Sequence, residues 1–135
     1  MNQNDQGGFV SRARMEEIQH LPDRELDRLP FGAIQLSTEG TVMKFNQYEA
    51  GLTGRDPKAV VGRNFFTEVA PCTNVREFAG KFREGVARQS LHEVFPYRFD
   101  FKMAPRDVTV TLFYSQVTAT AWVFVRDVTR GPQTA

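Results

Sequence analysis

Apolar residues change their spacing twice along this chain. In "NVREFAGKFREGVARQS", Val75, Phe78, Ala79, Phe82 and Val86 fall three or four apart, the mark of one buried helical face. Asn74 or Thr73 is the expected cap, and Arg83 and Arg88 lie toward the end that the helix dipole makes favourable for cations. The spacing predicts one amphipathic helix about four turns long. On either side the pattern is that of strands. "FGAIQL" and "TVMKFN" flank "STEG", a turn ending in glycine and so a hairpin signal. "HEVFPYRFDFKM", "DVTVTLFYS" and "TATAWVFVRDV" have alternating or β-branched and aromatic content. Their connections, "APR" and "QVT", are short enough for antiparallel neighbours. Two strands, a helical middle and three strands predict an α+β domain with one five-stranded antiparallel sheet, one face of it covered by helices.

The remaining segments fit around that core. "MNQNDQGG" is polar and is expected to be a mobile tail. "SRARMEEIQHL", with Ser11 as cap, and "DRELDRL", with Asp23 as cap and Leu26 and Leu29 three apart, predict two short helices forming a cap on the main domain. "QYEAGLTGRDPKAVVGRNFF" has scattered glycine and a proline, leaving room only for short helical turns before Pro57 and before Gly62. Irregular backbone of this kind often lines a pocket. The expected organisation is a tail and helical cap over 1–30, a main domain over 31–130 and a frayed tail over 131–135.

Composition narrows the function. Seventeen basic against sixteen acidic side chains, with no long run of one sign, leave no electrostatic footprint for nucleic acid or membrane. The single cysteine cannot form an internal disulfide, the first ten residues lack the regions of a signal peptide, and no apolar run approaches the length of a membrane span. A cytoplasmic monomer is expected, its partner a small molecule or another protein.

That cysteine, Cys72 in "EVAPCTN", stands just before the predicted long helix. A lone cysteine is ordinarily a small buried hydrophobe. Near a helix N-terminus, free N–H groups would stabilise a thiolate and bind the oxygen of an acyl group on sulfur, which suits nucleophilic or acyl chemistry. A thiol hydrolase would need a histidine base, but His20 and His92 stand in no recognisable signature. Metal ligands at close spacing and a haem-attachment motif are both missing from the sequence.

"FGAIQL", "NQYEAGLTGRDP", "GRNFFTEVAPCT", "KFREGVA", "FPYRFDFKM" and "WVFV" together resemble the photoactive yellow protein family, blue-light receptors of the PAS fold. The resemblance runs from Leu26 to Val128, and "TGRDP" with "NFF…VAPCT" is its most specific part. It implies that Cys72 carries p-coumaric acid as a thioester and that Glu49 is the buried acid donating a hydrogen bond to the chromophore phenolate. It further implies that Thr53 belongs to the same loop, that Arg55 shields the pocket, and that Phe65, Phe66, Phe99 and Met103 pack around the chromophore. Two positions depart from the family pattern: Phe45 stands where a tyrosine usually gives the phenolate its second hydrogen bond, and Phe101 replaces another usual tyrosine.

A glutamic acid buried in an apolar pocket has a raised pKa and can stay neutral and donate. The resemblance therefore implies a receptor that is not an enzyme. In it, trans–cis isomerisation draws a proton from Glu49, and the stranded carboxylate loosens the N-terminal cap toward an unknown signalling partner. The alternative is a chromophore-free PAS module for interaction or ligand binding, with Phe45 as its sequence support.

Overall fold

The computed structural model describes residues 9–100 and 105–129. Helices α1 (Arg12–Ile18) and α2 (Asp23–Leu26) precede strands β1 (Gly32–Leu36) and β2 (Val42–Phe45). Then come α3 (Gln47–Thr53), α4 (Pro57–Val60) and α5 (Lys81–Arg88), followed by β3 (His92–Phe99), β4 (Arg106–Ser115) and β5 (Thr120–Asp127). The strands form one antiparallel sheet in the order β2-β1-β5-β4-β3, so the expected α+β architecture with five strands is present. The β1–β2 turn is built by Ser37, whose hydroxyl accepts from the backbone N–H groups of Glu39 and Thr41. The third predicted strand stops at Phe99; Phe101 and Met103 lie outside the described residues.

Helices cover both faces of the sheet, not one. Because side chains alternate along a strand, Ala33, Phe113, Trp122 and Phe124 face one way and meet Met15, Ile18, Leu26 and Leu29 of the N-terminal cap. Ile34, Leu36, Val110, Leu112, Val123 and Val125 face the other way, against Phe65, Phe66, Phe78 and Phe82. The two cap helices are far too short to be stable alone. Their order comes from docking, and each fully buried Met15, Ile18 or Leu26 contributes roughly 1.5–3 kcal/mol. Ser11 caps α1 as expected, accepting from Arg14 N at 3.1 Å. Asp23 does not cap α2: it is the first helical residue, and its carboxylate takes Lys44 Nζ of β2 at 2.8 Å.

The predicted long helix also differs. It begins after extended Val75 with a wide π turn over Arg76–Gly80, and only then becomes α5. Neither candidate cap is used. Thr73 Oγ1 donates backward to Ala70 O at 2.7 Å, while Asn74 Oδ1 accepts from Arg83 Nη2 at 3.1 Å. Cys72 therefore sits in its own 3-10 turn, Pro71–Thr73, rather than at the start of the amphipathic helix. A second π turn, Phe65–Val69, precedes it, with the Asn64 side chain accepting from Phe66 N and Thr67 N.

Candidate functional site

Glu49 lies in the first turn of α3, and its position follows from the residue that caps that helix. Asn46 Oδ1 accepts from Glu49 N at 3.2 Å and from Ala33 N of β1 at 3.0 Å, which pins the start of α3 to the sheet. The helix ends at Gly54, whose φ of 73° is the left-handed conformation that glycine adopts without steric cost. Glu49 is 1% exposed, its Oε1 has no hydrogen-bond partner, and burial pushes its carboxyl up to about 8. A carboxyl in that state holds its proton at neutral pH, because the charged form would be desolvated without compensation.

The carboxyl lies against β1. A Cβ placed on Gly32 would come within 2.0 Å of Glu49 Oε1. Gly32 alternates with Ala33 of the cap-side core and shares its facing direction with Ile34 of the opposite core, so Glu49 occupies the face away from the cap. Cys72 packs partly buried against the core of that same face. Phe45, Phe65, Phe66 and Phe99 all belong to it as well. Phe78, from the π turn before α5, is the hub of its aromatic rings: centroids of Phe65, Phe66, Phe95, Tyr97 and Phe99 lie 5.2–6.3 Å away.

Not every predicted site residue joins this group. Thr53 Oγ1 donates to Glu49 O at 2.8 Å and accepts from Arg55 N at 3.3 Å, so its hydroxyl proton serves the end of α3. Arg55 is exposed beyond that end. Phe45 is buried with the group, and it also lines a cleft of about 480 Å³ between α2, β2 and α4.

Three residues with clear roles escaped the sequence reading. Tyr97 donates its hydroxyl to Cys72 O at 2.5 Å. Burial first, then the neighbouring Cys72 and Glu77, push that hydroxyl's pKa up, so it stays a donor. Its signal was the alternation Phe95, Tyr97, Phe99 on one strand face. Asn46 could have been found as an N-cap, since it stands three residues before an acidic residue at a strand–helix junction. Gly32 is a glycine at the start of a central strand, where glycine often marks a close approach.

A family profile for the PAS fold matches residues 14–128. The photoactive yellow protein of Halochromatium salexigens is 47% identical over 109 residues, covering 81% of this chain and 87% of that protein. The chain belongs to the photoactive yellow protein family. Photoactive yellow protein from Rhodothalassium salexigens is 46% identical over 106 residues, 78% of this chain and 85% of that one. Among solved structures, the photoactive yellow protein domain from the sensor histidine kinase Ppr of Rhodospirillum centenum superposes with a TM-score of 0.79 at 44% identity. It covers 82% of this chain and 97% of that one. Among the described residues, no helix is long and apolar enough to cross a membrane, and no group of three His, Cys, Asp or Glu could hold a metal ion.

Proposed function

We propose that this protein is a blue-light receptor that holds p-coumaric acid as a thioester on Cys72. The observation that carries the reading is Glu49 Oε1, a fully buried oxygen without a partner, on the sheet face against which the half-buried thiol packs. A flat aromatic acyl group with a polar oxygen at its far end fits that arrangement: an apolar aromatic core, a thiol to attach it and a neutral acid to donate to it. When bound, the coumaroyl group supplies the absorption of blue light and a trans–cis isomerisation that withdraws its phenolic oxygen from its donors.

The chain's own residues account for the rest. Cys72 provides the sulfur, and Tyr97 steadies the turn that carries it through the Cys72 carbonyl. Glu49 keeps a proton on its carboxyl at neutral pH and, once it releases that proton, becomes a buried carboxylate with no cation beside it. Such a charge is costly enough to loosen the least stable neighbouring element. Asn46 joins Glu49 to the N-terminal cap, because its Nδ2 donates to Leu26 O at 2.8 Å and to Phe31 O at 3.1 Å. Cap release is therefore the signal, and a downstream protein reads it in the cytoplasm.

Light-minus-dark infrared difference spectroscopy of the coumarate-loaded chain tests this reading. A protonated carboxyl band should be lost on illumination, and Glu49→Gln should remove that band. A band that persists in Glu49→Gln would assign the proton to another group.

A further inference from the structure

A glycine in the interior of a sheet needs a reason, because it leaves the backbone loose and packs no side chain. Gly32 opens β1 and pairs with Val125 of β5, in backbone that any residue could adopt, since its φ is not positive. Its reason lies across the sheet face. A Cβ at Gly32 would stand 2.0 Å from Glu49 Oε1 and 3.1 Å from Glu49 Cδ, whereas the nearest backbone atom, Val125 O, would be 3.4 Å away. The strand itself would accept alanine; the carboxyl would not.

We propose that Gly32 is a positioning residue for Glu49, its missing Cβ being the slot that holds the carboxyl in its buried, unpartnered place. The slot has two effects. It lets the carboxyl lie against β1, where Gly32 pairs with Val125 of β5 and Ala33 N and O are taken by Asn46, so that Glu49 Oε1 finds no partner there. It also sets how far the acid reaches from α3, because Asn46 fixes the other end of the helix turn through Glu49 N. A methyl at position 32 would turn the carboxyl away from β1, and a side chain one methylene shorter would restore the fit by exchanging volume for volume. The spectral arm of the test rests on the function proposed above; the titration arm does not.

The test uses the full chain labelled with carboxyl-13C glutamate or aspartate, unloaded and loaded with coumarate. In the unloaded chain, Gly32→Ala should lower the titration midpoint of Glu49 by about one unit or more, and the pair Gly32→Ala/Glu49→Asp should bring the midpoint of the acid at position 49 back up. In a Glu49→Ala background, which removes the carboxyl, Gly32→Ala should not lower the urea unfolding midpoint and should raise it slightly. In the loaded chain, Gly32→Ala should shift the absorption maximum, and Gly32→Ala/Glu49→Asp should reverse the shift. An unaltered Glu49 midpoint in Gly32→Ala, or equal destabilisation with and without the Glu49 carboxyl, would overturn the assignment. Failure of the parent chain to load coumarate would count against the receptor reading alone, since the titration arm would still decide the role of Gly32.

Discussion

Asn46 Nδ2 donates to the backbone carbonyl of Leu26 at 2.8 Å, tying the helix that carries the buried acid to the last turn of the N-terminal cap. The same side chain caps α3 and holds Ala33 N of β1. Asn46→Ala should lower unfolding stability by at least ~2 kcal/mol, since it removes a helix cap and strands buried backbone groups. Asn46→Asp keeps the two accepting bonds and loses the two donating ones, so it should free the cap while sparing α3. Fluorescence of Trp122, the chain's single tryptophan and part of the cap-side core, measures the difference. Equal emission from Asn46→Asp and the parent would show that the cap is held elsewhere.

Glu49 makes the stability of the unloaded chain depend on pH. Below pH 4.5 its carboxyl is neutral in both folded and unfolded chains; between 4.5 and about 8 the folded chain keeps a proton that the unfolded chain has released. Stability should therefore fall as pH rises through that window and level off above it, by on the order of a few kcal/mol. Urea midpoints measured across the window should slope downward in the parent and lose most of that slope in Glu49→Gln. A parent curve as flat as that of Glu49→Gln would mean the acid ionises in the folded chain at its ordinary value.

Tyr97→Phe removes the hydrogen bond to Cys72 O and nothing else of the ring's packing on Phe78. A net cost of about 1 kcal/mol is expected. Amide hydrogen exchange over residues 70–74 should quicken, while exchange in β4 and β5 stays as in the parent.

Phe45 has no hydroxyl to give a chromophore, and the two hydroxyls that follow it in sequence are engaged elsewhere in the unloaded chain. Thr53 donates to Glu49 O, and Tyr48 Oη sits on Asp127 N at 3.1 Å at the end of β5. In the coumarate-loaded chain, Phe45→Tyr should lower the chromophore's apparent pKa by about one to two units, the worth of a hydrogen bond to a charged acceptor. Tyr48→Phe should leave it alone. A pH titration of the dark absorption spectrum of the three proteins checks both, and a rise of the pKa in Tyr48→Phe would make Tyr48 the missing donor.

Patterning alone revealed the sheet, because β4 and β5 are rich in β-branched and aromatic residues and "STEG" marks a hairpin turn. It also revealed the Ser11 cap, whose acceptor geometry is local. It failed where one polar side chain has two local options. Thr73 could have bonded forward to cap a helix or backward to Ala70 O, and the backward bond moved Cys72 into a turn of its own. The second covered face was missed because α1 and α2 are too short for their apolar spacing to announce which surface they meet. At the site, the family resemblance pointed to Glu49 and Cys72, and the fold sets both on one sheet face. A glycine in a strand marks Gly32 as a place of close approach, but not that Glu49 is what approaches it, since that contact joins two elements seventeen positions apart.

Intact mass read together with absorption decides whether Cys72 carries a coumaroyl thioester that absorbs blue light. The parent chain treated with activated p-coumaric acid should gain the mass of one coumaroyl group, turn yellow, and lose both mass and colour in hydroxylamine, whereas Cys72→Ser should gain neither. A parent that stays colourless at its unmodified mass, or a Cys72→Ser chain that still takes up the chromophore, would contradict the claim.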